Sequence, residues 1–261
     1  MTVNNYLNKE GKIKVWPSRQ EAKLAVARHL GNRFDTGRFY TEKEVNRIID
    51  ENHTFNDYFL LRREMIDRGA MRRTQDGARY WRGGLWPRDG AETERLRIRT
   101  AEEGDRSGIA DVHRACAYMA DWTGCPHDEA GLNALLANTD LPPGGSPEFS
   151  HLAVLEDKAS GRLAGIAQYY TAWPEANCIW IGLMLIHPKY QKQGFGGEFV
   201  QAFVAESKRQ AYARAGLGVA LRNQPAMKFW VKSGFDRIGK VTADGEAGPG
   251  SLGTMGLYLT L

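Results

Sequence analysis

The spacing of hydrophobic residues changes along this chain, and each change marks an element. Leu24, Ala27, Leu30 and Phe34 recur at helical spacing after Pro17, which predicts a first helix. The polar stretch DTGRFY at 35–40 ends it. Thr41 and Glu44 then stand where a capping box belongs, ahead of Val45, Ile48 and Ile49. A third helix fits 57–68, with Tyr58, Leu61 and Met65 inward. Residues 71–82 read as two strands about an Asp76-Gly77 turn. Further on, Leu96 and Ile98 alternate with arginines, the period of a strand. Ile109, Val112, Cys116 and Met119 predict one continuous helix over 105–122, and a second helix fits 128–137. Three strand-like runs follow, HLAVLED, RLAGIAQYY and NCIWIGLMLIHP. After the glycine cluster QKQGFGG at 191–197, Phe199, Val200, Phe203 and Val204 set a helix. GLGVALR is a strand, PAMKFWVKSG a helix, and DRIGKV and MGLYLTL are closing strands. The expected order from residue 93 is β-α-α-β-β-β-α-β-α-β-β, an α/β (α+β) domain with a mixed, mostly antiparallel sheet flanked by helices.

Charge divides the chain in the same place. Residues 1–84 hold 17 Lys and Arg against 11 Asp and Glu, and the rest hold 18 against 20. Such asymmetry points to two units with different roles. The glycine- and proline-rich stretches RGGLWPRDG at 82–90 and LPPGGSP at 141–147 are the candidate linkers. The expected division is therefore 1–84, a linker at 85–92, and 93–261. Three helices followed by a hairpin give the first unit the order of a winged helix, a small α+β domain. No apolar run reaches the roughly 18–20 residues of a membrane helix, and the N-terminus lacks an apolar signal core. A cytoplasmic protein with reduced thiols is expected. Cys116, Cys125 and Cys178 make neither a disulfide framework nor a metal spacing, so no metal site is expected.

Gln191-x-x-Gly194-x-Gly196 between a strand and a helix is the feature with the clearest chemistry. A helix N-terminus offers unpaired amides and a partial positive charge, which suit a phosphate. Glycines let the backbone approach it closely. LMLIHPKYQKQGFGGEF and RNQPAMKFWVKSGF together resemble the acyl-coenzyme A and second signatures of the GNAT superfamily of N-acetyltransferases, over about 93–261. The resemblance implies acetyl-coenzyme A as cofactor. It implies that the amides of Lys192, Gln193, Gly194, Phe195, Gly196 and Gly197 hold the pyrophosphate, with Gln191 and Lys192 adding side-chain donors. Met184, Leu185 and Ile186 would pair with the pantetheine arm as an added strand does, and one of their amides would polarise the thioester carbonyl. Asn223 matches the position that steadies the pantetheine. Over about 12–82 the chain also resembles an uncharacterised bacterial domain family that looks winged-helix-like.

Acetyl transfer to an amine has two proton problems. A lysine-like amine has a pKa near ~10.4 and must lose its proton, and the departing thiolate has a free pKa near ~8.5. Many relatives protonate the thiolate with a Tyr where this chain has Trp230, an indole that donates a hydrogen bond but does not titrate. Trp230 is expected as a core aromatic under the cofactor. Glu175, Asp121 and Tyr258 are the candidate proton-transfer residues, with Glu148 and His151 as further bases and Tyr169 and Tyr170 as further acids. Tyr118, Asp121, Trp122, Tyr169, Tyr170 and Trp173 are expected to line the acceptor groove, where aromatics and carboxylates suit a polycationic amine. The expected function is acetylation of a primary amine on a small polycation, such as an aminoglycoside-like or peptide antibiotic. Acetylation of a protein N-terminus or lysine is the alternative enzyme. The alternative of another class is an acetyl-coenzyme A-sensing regulator whose first unit binds DNA through Arg62, Arg63, Arg72, Arg73 and Arg79. The first unit is otherwise expected to roof the acceptor groove. A homodimer is expected by analogy with the superfamily.

Overall fold

Caps set the helix boundaries of the first unit. The Thr41 hydroxyl accepts from the Glu44 amide while the Glu44 carboxylate accepts from the Thr41 amide, so α2 runs Glu42–Glu51. Asp57 caps α3, Tyr58–Asp67, by accepting from the Leu60 amide. The first helix, α1, spans Gln20–Gly31; Phe34, expected on it, lies beyond its end and is still buried. Strands β1, Met71–Arg73, and β2, Tyr80–Arg82, pair antiparallel across the expected turn. Val26, Leu30, Phe34, Val45, Ile49, Leu61 and Met65 close one core between the three helices.

This computed structural model describes residues 3–86, 90–124, 126–244 and 252–261. Cys125 and part of the expected linker lie outside them. The chain divides into two compact units, Met1–Arg88 and Asp89–Leu261. Among the described residues no helix is long and apolar enough to cross a membrane.

The second unit is built on one sheet of order β3-β4-β5-β6-β7-β8-β10-β9. Its strands are β3 (Ala91–Glu92), β4 (Leu96–Thr100), β5 (Ser150–Asp157), β6 (Leu163–Thr171), β7 (Cys178–Ile186), β8 (Arg214–Ala220), β9 (Arg237–Asp244) and β10 (Leu252–Thr260). Every neighbouring pair is antiparallel except β7 with β8. Strand β3 falls within the stretch expected to be linker and pairs Ala91 with Ile98. Helices α4 (Arg106–Ala115), α5 (Ala120–Thr123), α6 (Glu129–Ala137), α7 (Phe195–Arg209) and α8 (Gln224–Lys232) complete the unit.

The helix expected over 105–122 is broken. Helix α4 stops at Ala115, a 3₁₀ turn follows at Ala117–Met119, and the short α5 ends at Gly124, which sits at φ 71°. The break falls at Cys116, whose amide is shared between the Val112 and His113 carbonyls and whose buried thiol donates to the Ile186 carbonyl on β7 at 3.4 Å. Apolar spacing alone reads through such a break, because Cys116 and Met119 remain inward. Ile109, Val112, Leu132 and Leu135 from α4 and α6 pack on Val154, Ile166 and Leu185 of the sheet.

Candidate active site

The site forms where β7 and β8 part. Their parallel pairing covers Cys178 to Ile181 against Arg214 to Leu217 and then ends. The partner strand β6 pairs Tyr169 with Ile181 and Gln168 with Leu183, so Gly182 is an extra residue, a β-bulge. A bulge bends its strand and adds twist, which turns residues 182–186 away from β8. Glycine is required there: a Cβ on Gly182 would stand 2.5 Å from Cε2 of Tyr170. Alternate backbone N–H and C=O groups of Leu183, Met184, Leu185 and Ile186 are left facing the gap.

Directly after β7 the chain makes the glycine loop. His187 ends the strand and its ring accepts from the Lys189 amide at 3.2 Å. Lys192 has φ 57° and Gly194 φ 90°, and Gly194 is the N-cap of α7. The first intrahelical bond runs from the Glu198 amide to the Gly194 carbonyl, so the amides of Phe195, Gly196 and Gly197 precede the ladder. Gly194 is the one glycine of the three that backbone conformation demands. A Cβ on Gly196 would make only ordinary contacts with Ile186 and Phe229, and one on Gly197 would meet nothing within 4 Å. The fold leaves that space open beside free amides, which is the shape a phosphate needs.

Two residues that sequence reasoning missed hold this loop. The Glu198 carboxylate accepts from the Thr93 hydroxyl, from the Arg95 amide at 2.7 Å and from Arg95 Nε at 2.8 Å. Arg95 Nη1 donates to the Gln193 carbonyl at 2.7 Å, and its guanidinium lies 4.4 Å over the Phe195 ring. Burial pushes the Glu198 carboxyl up, but these hydrogen bonds and the Arg95 charge hold it below the usual range. An acid in the first turn would repel a bound anion, and Arg95 neutralises it. The signal was Glu198 four residues after Gly194, with an arginine pattern in the preceding strand.

Gln191 is tied to the opposite side. Its Nε2 donates to the Tyr118 hydroxyl at 2.6 Å and to the Ile186 carbonyl at 2.8 Å. Burial raises the Tyr118 hydroxyl and pushes the Cys116 thiol up to about 11. Tyr118, expected in the acceptor groove, therefore stands at the glycine loop.

Across the gap, Asn223 caps α8 by accepting from the Ala226 amide at 3.1 Å, which leaves its Nδ2 donors for a ligand. Trp230 is 7% exposed and packs edge-on against Phe229 and Phe235. It sits as a core aromatic and offers no titrating proton.

The remaining predicted residues separate by sheet face. Alternation along β6 places Tyr170 with Ile166 on the α4 face. Tyr170 lies over Gly182 there, and its hydroxyl donates to the Asp140 carbonyl. Trp173 is beside it, meeting Trp180 edge-on at 4.7 Å, and Trp180 meets Tyr258 at 5.7 Å. Tyr169 goes to the other face. It is 1% exposed, stacked on His151 and set against Phe203 of α7, so neither Tyr169 nor His151 shares the groove. Glu175 is bound to Arg214 at 2.6 Å. Asp121 is exposed on α5, Trp122 is half-buried beside it, and Glu148 accepts from the Ser146 hydroxyl. Burial raises the Tyr258 hydroxyl. The stretch expected as a second linker, 141–147, is a loop clipped to this face through Asp140 and the Pro143 carbonyl, which accepts from the Trp173 indole at 3.2 Å.

In the first unit a cleft of about 590 Å³ is lined by residues including Glu42, Phe59, Arg62, Arg63, Arg73 and Tyr80. Arg62 is held by Glu42 at 2.7 Å and Arg68 by Glu64 at 2.8 Å. Arg62 of α3 and Arg68, its C-cap, are thus engaged within the fold.

Residues 112–235 match the acetyltransferase (GNAT) family, and residues 12–82 match DUF2087, an uncharacterized protein conserved in bacteria. Among solved structures the chain is similar to a probable acetyltransferase of the GNAT family from Chromobacterium violaceum, at 14% identity and a TM-score of 0.55, covering 68% of this chain and 88% of that one. It is also similar to a GCN5-related N-acetyltransferase from Brucella melitensis, at 16% identity and a TM-score of 0.53, covering 68% and 80%. No curated protein matches the chain in sequence.

Proposed function

From the premise that the second unit of this chain belongs to the acetyltransferase (GNAT) family, we propose that it moves an acetyl group from acetyl-coenzyme A to a primary amine of a small molecule. Acetyl-coenzyme A supplies the acetyl group as an activated thioester. The observation that carries the reading is the open space at Gly197 beside the unladdered amides of α7, together with the backbone edge that β7 presents beyond Gly182.

The chain's own groups divide the work. The amides at 192–197 take the pyrophosphate, and Arg95 offsets the Glu198 charge beside them. Residues 183–186 pair with the pantetheine as a strand would, and a β7 amide near the bulge polarises the carbonyl under attack. Asn223 Nδ2 donates to the arm from the β8 side. Trp230 excludes water there.

Proton handling falls to half-buried Tyr258 and to the exposed carboxylates Glu175 and Asp121. Tyr258 is the residue we assign to protonate the sulfur: a phenol with an ordinary pKa of ~10 carries its proton at neutral pH. Glu175 is committed to Arg214; the amine proton leaves through water to this exposed carboxylate or to Asp121. A general acid contributes roughly 10²–10⁴-fold.

Thiol release from acetyl-coenzyme A over a panel of small amines, run beside a titration of acetyl-coenzyme A binding, tests the proposal. Turnover on an amine with saturable cofactor binding is the expected result. Tight binding with no turnover on any amine would sink the enzyme reading.

A further inference from the structure

The glycine loop holds one residue in a left-handed backbone conformation without using glycine there. Lys192 stands at φ 57°. A side chain makes that conformation costly, so its surroundings have to hold it in place. The residues on either side are both glutamines, and both are fastened. Gln193 Nε2 donates to the Lys189 carbonyl, and the Gln193 carbonyl accepts from Arg95 Nη1 at 2.7 Å. Gln191 is fastened to Ile186 and Tyr118.

Chemistry fixes which way the Gln191 amide points. It meets the Ile186 carbonyl at 2.8 Å, and a carbonyl oxygen only accepts, so the amide nitrogen faces it. The same nitrogen lies 2.6 Å from the Tyr118 hydroxyl. A primary amide has two N–H hydrogens, and these two contacts use both. The family resemblance makes Gln191 a side-chain donor to the pyrophosphate; neither hydrogen is left for that. The Ile186 carbonyl also takes the Cys116 thiol at 3.4 Å. Three segments therefore meet at the last residue of β7: the break after α4, the glycine loop and the strand end. Tyr118 is 42% exposed, so burial of its ring does not account for its placement. Its hydroxyl contact with Gln191 does.

We propose that Tyr118 is a positioning residue for the cofactor. Through Gln191, which acts as a brace and touches no phosphate, it holds the glycine loop and the end of β7 in the conformation that receives coenzyme A. Of the two side-chain donors expected at the pyrophosphate, Gln191 and Lys192, only Lys192 remains. This inference rests on the cofactor site of the transferase reading above and changes the part Gln191 plays in it.

The test uses the full chain. Coenzyme A is titrated calorimetrically into the parent, Tyr118→Phe, Gln191→Met and the double variant, with a urea unfolding curve for each. The two roles predict opposite signs. A phosphate ligand at Gln191 would gain a free hydrogen when the Tyr118 hydroxyl is lost, so affinity would hold or improve. A brace would be loosened, and Tyr118→Phe is expected to weaken coenzyme A binding by roughly 3–10-fold, the worth of one hydrogen bond. The double variant is expected to bind no more weakly than Gln191→Met, because the two residues act as one unit. Unchanged or tighter binding by Tyr118→Phe would overturn the inference, as would losses that simply add. A lowered urea midpoint with the affinity of the folded protein intact would overturn it too, since the contact would then serve stability alone. If Gln191→Met fails to fold, the sign of the Tyr118→Phe effect decides. A parent chain that binds no coenzyme A would instead remove the transferase reading, and the brace with it.

Discussion

Gly194, Trp230 and Tyr258 show what a single residue decides here. Gly194 holds φ 90° at the head of α7, and a Cβ there would stand 3.1 Å from Arg95 Nη2. Gly194→Ala is expected to cost about 1–2 kcal/mol in backbone strain and to raise the KM for acetyl-coenzyme A more than it lowers kcat. An unchanged KM would show that the loop holds no phosphate. Trp230→Phe is expected to leave kcat within about twofold of the parent, because an indole supplies no proton. A hundredfold loss would return Trp230 to the chemistry. Tyr258→Phe should lower kcat by roughly 10²-fold or more if its hydroxyl protonates the sulfur, and an unaltered pH–rate profile in that variant would exclude the role. The glycine loop was legible in sequence because it falls between a Pro-terminated strand and an apolar-periodic helix. Tyr169 and Tyr170 were both expected in the groove, yet neighbours on a strand point to opposite faces, and Tyr169 packs against Phe203 while Tyr170 lies over Gly182.

At the scale of elements, α7 and the pairing of α4 with α6 carry the testable content. Arg95→Ala removes the partner of the Glu198 carboxylate at the N-terminal end of α7. It is expected to weaken acetyl-coenzyme A binding by roughly 10–150-fold, the usual worth of a charge-assisted hydrogen bond, and Glu198→Gln in the same background should restore part of it. Absence of that rescue would detach Arg95 from the cofactor. On the other face, His113 of α4 stacks on His127 ahead of α6 at 4.8 Å. Burial, with the neighbouring ring's charge for His113, lowers both from their ordinary value, against the pull of Asp128 and Glu129 on His113. The unfolded chain therefore takes up these protons first. Stability from this contact is full above the unfolded value near ~6.5 and is lost as pH falls below it. Urea midpoints should drop between pH 7.5 and 5.5, and His113→Phe with His127→Phe should flatten that drop. An undiminished slope in the double variant would assign the pH dependence elsewhere. Element order was readable from periodicity, yet the break at Cys116 was not. A thiol reaching the Ile186 carbonyl is a tertiary bond that local spacing does not encode.

The sheet and the glycine loop both fall in Asp89–Leu261, so the candidate site lies within one unit. A chain of residues 89–261 is expected to fold and to bind acetyl-coenzyme A with the affinity of the full protein. A collapse of binding on removal of the first unit would make that unit part of the cofactor site. The capping box of α2 was plain in the sequence, whereas the engagement of Arg62 by Glu42 was not, because it joins elements 20 residues apart in the chain. The short run of parallel pairs between β7 and β8 also has a mechanical meaning. Five strands hang on one side of it and three on the other, and four residue pairs stitch them together. Pulled crosswise, the sheet should tear along that stitching first. A molecule laid into the gap and bonded to both edges would act as a rivet, so the force needed to open the sheet should rise when coenzyme A is present.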